Sequence, residues 1–155
     1  MLRSQKTNAV LVFLVLIIVS IPSYAEEEVE DVIDIFESKG KIVAVVGGKK
    51  NVSFNLSAKE RVLWSGAKGY LGSFLTNYRF FVISSSSGSW KYFHLRSDES
   101  DTAMTALSSN LVLAVFEDRA VGYTALTGRF VETQIPLRDE RLFVDAGRHV
   151  AVIIT

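Results

Sequence analysis

Few residues of this 155-residue chain have the types and spacing that a chemical function needs. The run GKIVAVVGGKK (40–50) resembles a phosphate-binding loop only in part. Lys50 stands where that motif requires Ser or Thr, and no glycine lies five residues before Gly48. The two histidines, His94 and His149, have no neighbouring carboxylate or second ligand at metal-binding spacing. We therefore expect a lysine-rich hairpin turn, two surface or edge histidines and no metal site.

Hydroxyl and carboxylate side chains provide no catalytic set either. The serines at 84–87 are not flanked by the Gly-x-Ser-x-Gly pattern of a nucleophile turn, which favours a polar loop. The acidic pairs Asp98-Glu99 and Asp139-Glu140 recur at the same repeat position beside arginines, so turn solvation and local ion pairing account for them. We predict no catalytic residue and no cofactor.

Aromatic side chains are the remaining candidates for ligand contact. Trp64, Trp90 and Tyr92 could stack on a sugar ring through their apolar faces. The competing interpretation is that these residues pack inside the fold.

The elements that must position these residues recur with a period of 40. Gly48, Gly88 and Gly128 lie 40 apart, and so do Arg79 and Arg119. An apolar run precedes each glycine and a segment of nearly alternating apolar and polar residues follows it, as expected of strands. The segments after the glycines are KKNVSFNLS, SWKYFHLRS and RFVETQIPL. A period of about 40 matches a four-stranded β-propeller blade.

The predicted fold class is therefore all-β, with antiparallel four-stranded propeller-type blades amounting to about three blades. The expected repeats cover about 31–57, 58–97, 98–138 and, in part, 139–155. Two structures remain open for the segment around 29–36, whose apolar spacing also suits a short helix; the repeat favours a strand.

The repeat also predicts that equivalent side chains are buried in successive blades. Trp64 corresponds to Met104, and Phe81 corresponds to Val121. Closed propellers need roughly four to eight blades. We therefore expect this chain either to self-associate through its terminal strands or to be a fragment of a longer protein.

One segment resembles a known family. The run NLVLAVFEDRAVGYTALTGRFVE (110–132) looks like a blade of the quinoprotein-type (PQQ-like) propellers, and ALTG at 125–128 carries most of the likeness. Phe130 stands near the position where that family usually has tryptophan. The resemblance implies the shape of the blade and gives no ground for a quinone cofactor.

The N-terminal residues predict an exported protein. Arg3 and Lys6 precede an apolar run at 9–21, and Ser23-Tyr24-Ala25 offers a cleavage site. Residues 1–25 are predicted to be a signal peptide cleaved between Ala25 and Glu26, followed by an acidic leader at 26–30. The alternative is an N-terminal membrane anchor, although the apolar run is shorter than the roughly 20 residues that a span needs.

Charge and composition narrow the partners. The signal peptide removes two basic residues from 17 of each sign, so the mature chain has a net charge of about −2. This disfavours nucleic acid and anionic bilayers as partners, and with no cysteine the fold has no disulfides. We expect a periplasmic or secreted, non-catalytic binding or assembly scaffold for an unknown protein or glycan. The alternatives are a propeller enzyme or lectin acting on glycans, and a truncated product without independent function.

Overall fold

The computed structural model describes residues 32–135, 143–147 and 151–154, and these residues form an all-β structure. A three-residue 3-10 helix at Glu99–Asp101 is the helical element among them. The strands are β1 (Ile33–Ser38), β2 (Lys41–Val46), β3 (Lys50–Asn55), β4 (Val62–Lys68), β5 (Leu71–Thr76), β6 (Arg79–Ser84), β7 (Trp90–His94), β8 (Met104–Leu107), β9 (Leu111–Val115), β10 (Arg119–Thr124), β11 (Arg129–Gln134), β12 (Phe143–Ala146) and β13 (Ala151–Ile154).

Consecutive strands pair antiparallel in four separate sheets. Sheet 1 contains β1 to β3, sheet 2 contains β4 to β7, sheet 3 contains β8 to β11, and sheet 4 contains β12 and β13. The all-β class and the four-stranded antiparallel sheets agree with the sequence prediction. The strand predicted at the start of the repeat region is also confirmed, because β1 occupies that segment. No described sheet closes on itself.

The glycine period has a local cause in the last turn of each of the first three sheets. Gly48, Gly88 and Gly128 each lie in the turn before the last strand of sheets 1, 2 and 3. Their φ angles are 65°, 54° and 64°, in the left-handed region where a side chain strains the backbone. The 40-residue spacing therefore marks the same turn in successive sheets.

The sheets pack face to face, so sheets 2 and 3 are covered on both sides. Between sheets 1 and 2, Ile42 contacts the stacked rings of Phe74 and Phe81, whose centroids are 4.2 Å apart. The largest cluster joins sheets 2 and 3; its buried members are Leu71, Leu75, Phe80, Val82, Val112, Ala114, Phe116, Val121 and Tyr123. Because β5 has neighbours on both faces, all six of its residues are buried.

The predicted burial pairs are confirmed at one position and wrong at another. Phe81 and Val121 are completely buried. Trp64 is half-buried, whereas Met104 is 37% exposed. The backbone of Trp64 pairs with Leu75, and that of Met104 pairs with Val115, which is the residue equivalent to Leu75 in the next repeat. The strand register is therefore as predicted. Met104 is the first residue of the edge strand β8, on the face that Val115 turns toward sheet 4, so solvent reaches part of its side chain.

Several predictions fall outside the described residues. These are the signal peptide with its cleavage between Ala25 and Glu26, the acidic leader, the pair Asp139-Glu140, and His149. Among the residues that are described, we find no helix with the length and hydrophobicity of a membrane span.

Candidate functional site

The first polar cluster lies where the connection from β3 to β4 passes the start of β6. The Nε of Arg79 donates to Oε1 of Glu60 over 3.0 Å, and a second guanidinium nitrogen bonds Oε2. The hydroxyl of Thr76 donates to the same carboxylate over 2.8 Å, and the backbone amide of Ser57 donates over 3.2 Å. One carboxylate therefore fixes the connection, the end of β5 and the start of β6.

The guanidinium of Arg79 also lies among aromatic rings of two sheets. Its central carbon is 4.9 Å from the ring centre of Phe54 in sheet 1. The corresponding distances to Phe81 and Tyr92 of sheet 2 are 4.7 Å and 5.2 Å. Cations are attracted to aromatic faces within about 6 Å. Arg79 therefore links the two sheets as well as binding the connection.

An equivalent cluster lies one repeat later, between the connection from β7 to β8 and the start of β10. Nε and Nη2 of Arg119 each donate to an oxygen of Glu99 over 2.6 Å. Nη1 of Arg119 donates to Glu132 over 2.8 Å, and the amide of Arg96 donates to Glu99 over 2.7 Å. The side chains of Arg119 and Glu99 are only 6% and 5% exposed. Arg119 is therefore more buried than Arg79, whose side chain is 16% exposed.

Both buried carboxylates are held in their charged form. Burial alone would raise the pKa of Glu60, but hydrogen bonds from Arg79, Thr76 and a backbone amide outweigh it and lower the pKa below 4.5. Burial would also raise the pKa of Glu99. Hydrogen bonds from Arg119 and from a backbone amide outweigh this effect and lower it. The bonds to Glu99 raise the pKa of Arg119. Groups held this way are poorly suited to exchanging protons near neutral pH.

A cleft of about 270 Å³ opens beside the second cluster. It is lined by Arg96, Asp98, Glu99, Thr102, Glu117 and Asp118. Nη1 of Arg96 bonds Asp118 over 2.8 Å across this cleft. Within the described part of the chain, no three His, Cys, Asp or Glu side chains come together so that they could hold a metal ion.

The three aromatic residues predicted to contact ligand do not form one site. Trp64 packs into the cluster between sheets 2 and 3. Trp90 faces sheet 1, where its indole nitrogen donates to the carbonyl of Val52 over 3.3 Å and its ring meets Phe74 edge-on at 4.9 Å. Tyr92 shares the outer strand with Trp90 but is exposed. Two of the three candidates are therefore engaged in packing, and Tyr92 is accessible.

A second repeated contact joins neighbouring sheets at their outer strands. The ammonium of Lys50 donates to the carbonyl of Gly88 over 2.8 Å, and that of Lys91 donates to Gly128 over 2.7 Å. Each lysine thus bonds the glycine turn of the following sheet. The sequence analysis missed these contacts, although the lysines are 41 residues apart and the glycines 40.

The carboxylate partners of the repeated arginines were not evident from the sequence. The repeat predicts equivalent positions for Arg79 and Arg119, but Glu99 was expected to be a turn residue with solvation and local ion pairing. The available signal was Glu60 and Glu99, which precede the two arginines by 19 and 20 residues. No known protein family and no curated protein matches this chain. The clusters are therefore interpreted from their geometry.

Proposed function

We propose that this chain is an exported, non-catalytic binding or assembly scaffold of propeller type. The observation that carries the proposal is that the buried charged side chains bind the connections between sheets. Among the described residues, the buried charged side chains are Glu60, Glu99 and Arg119. Each holds a connection between sheets against the start of a strand. Catalysis would require such groups to be free to bind a substrate or exchange a proton, whereas each of these is engaged in ion pairs and hydrogen bonds, including Glu99 at the cleft.

The packing of the sheets against one another supports the propeller arrangement. Sheets 2 and 3 each pack against a sheet on both sides, as blades of a propeller do. The glycine turns and the lysine contacts recur from sheet to sheet. The likeness of residues 110–132 to a quinoprotein-type blade agrees with this arrangement. Function in such arrays resides in the turns and outer surfaces.

Self-association belongs to the same proposal. Among the described strands, β1 pairs only with β2, and β13 pairs only with β12. Unpaired strand edges are sites of association. We expect sedimentation of the purified chain to give a dimer, and a well-folded monomer at tens of micromolar would contradict this part of the proposal.

Export makes a separate prediction for the N-terminus. Intact-mass measurement of the exported protein should give a chain that begins at Glu26. Protein that retains residues 1–25, or that resists carbonate washing of the membrane fraction, would instead support the anchor.

Tyr92 favours glycan binding as the second candidate function. Its ring is 47% exposed on an outer strand, beside the exposed His94, which meets it edge-on at 5.1 Å. A glycan array of wild type and Tyr92→Ala tests this, with Tyr78→Ala as a control of equal exposure. A scaffold for protein partners gives no signal. Binding lost only in Tyr92→Ala would establish a lectin, and hydrolysis of an oligosaccharide would overturn the non-catalytic proposal.

A further inference from the structure

Across the described residues of sheets 1, 2 and 3, one end of the stack consists of turns, and we call it the turn face. It consists of the turns at 47–49, 69–70, 85–89, 108–110 and 125–128. Backbone bonds connect neighbouring turns: the amide of Val32 donates to Gly69 over 2.8 Å, and the amide of Tyr70 donates to Ser109 over 3.0 Å. The opposite end contains the connections at 56–61 and 95–103. The turn face is therefore one continuous surface across sheets 1, 2 and 3.

The turn face carries positive charge without matching acids. Five exposed cations lie on it or at the strand ends beside it: Lys49, Lys50, Lys68, Lys91 and Arg129. Within the described residues none of the five is in an ion pair, and all the ion pairs there lie at the opposite end. Asp34 of β1 is the one carboxylate of sheets 1 to 3 near this end. The net charge of the turn face is thus strongly positive although the chain as a whole is nearly neutral.

The acidic leader (26–30) and Asp31 together form a six-residue segment, called the leader in this subsection, which joins the fold at this same end. Glu26, Glu27, Glu28, Glu30 and Asp31 directly precede Val32 in the sequence. Val32 is bonded to the turn face through Gly69, next to Lys68. Six residues reach at most about 20 Å, and stacked sheets lie about 10 Å apart. The leader is therefore long enough to pass over sheets 1 and 2 and approach sheet 3, and its five acids match five cations.

We propose that the turn face is a docking surface for an acidic polypeptide segment, and that residues 26–31 of the same chain occupy it. Charge complementarity and the point of attachment both favour this occupant over an external one. A tethered segment also has an effective concentration in the millimolar range. The contact weakens with salt, because exposed charges are screened beyond about 8 Å at physiological ionic strength. The inference goes beyond the scaffold function and does not require its partner to be known.

Zero-length carbodiimide cross-linking of the full chain tests the occupant directly. Mass spectrometry should find the leader carboxylates joined to lysines of the turn face, namely Lys49, Lys50, Lys68 and Lys91. Lysines of the opposite end, namely Lys39, Lys41 and Lys59, serve as internal controls. Mixing unlabelled and isotope-labelled chain separates links within one molecule from links between two. Equal linking to both groups of lysines, or linking only between molecules, would overturn the proposal.

A binding experiment tests the chemistry of the face with polyglutamate as the probe. Changing the five leader acids to their amides should tighten polyglutamate binding at low salt at least tenfold, because the internal competitor is lost. In that background, K49Q/K68Q/R129Q should abolish binding, whereas the matched change K41Q/K59Q/R61Q at the opposite end should leave it intact. Equal binding by these two triple variants, or no gain on neutralising the leader, would contradict the proposal. Either failure leaves the scaffold function itself untouched.

Discussion

The buried pair of Glu99 and Arg119 gives the sharpest test of how these sheets are held together. Glu99→Gln keeps the size of the side chain and removes its charge, leaving a guanidinium that is 6% exposed with only the half-exposed Glu132 as a counter-ion. Breaking a buried pair costs about 3–5 kcal/mol, because the remaining charge stays desolvated. Since Glu132 remains, we expect a loss of about 3 kcal/mol in the free energy of unfolding. Urea denaturation at neutral pH with a constant m-value measures it.

The same cluster offers a matched control at its surface. Asp118→Asn removes the negative charge from the ion pair with Arg96. The side chains of Asp118 and Arg96 are 41% and 49% exposed, so this change should cost under about 1 kcal/mol. The double variant Glu99→Gln/Arg119→Gln leaves no buried charge in this cluster, so its cost should be less than the sum of its single changes. If Glu99→Gln costs no more than Asp118→Asn, the pair does not hold the connection to the strand.

Three further predictions concern pH, an unpaired hydroxyl and strand glycines. The pKa values of Glu60 and Glu99 are lowered on folding, so the stability that these carboxylates contribute is present above about pH 4.5 and is lost as pH falls through their folded-state pKa values. The denaturation midpoint should drop in that range, and it should drop less in the variant Glu60→Gln/Glu99→Gln. Tyr123→Phe should change the free energy of unfolding by under about 0.5 kcal/mol or increase it, because the buried hydroxyl has no hydrogen-bond partner among the described residues; a loss above about 1 kcal/mol would refute this. Gly72→Ala should cost about 1–3 kcal/mol in the free energy of unfolding, because its new methyl group would lie 2.7 Å from a side-chain carbon of β1. Gly122→Ala should cost less, because the nearest atom to its methyl group is 3.5 Å away. Equal losses in thermal or urea unfolding would argue against the tight packing of sheets 1 and 2.

The sequence alone determined the class of the fold and the 40-residue spacing of its glycine turns. Gly48, Gly88 and Gly128 were visible as a period because a left-handed backbone is a local requirement that one residue type satisfies best. The alternation of apolar and polar residues predicted the strands, since it reflects which face of each strand is buried. Both signals depend on residues close together in the chain.

Only the tertiary structure decided which residues meet across the connections. Arg79 and Arg119 were placed by the repeat, but their carboxylates lie 19 and 20 residues earlier and reach them only when a connection folds back over a strand start. The 37% exposure of Met104 was likewise not visible in the repeat, which predicted only the face that its side chain shares. The difference in charge between the two ends of the stack was not visible in the nearly neutral sequence. Antiparallel strands bring charged residues from distant parts of the chain to the same end. Contacts of this kind depend on the path of the whole chain, whereas composition and periodicity report only on local conformation and burial.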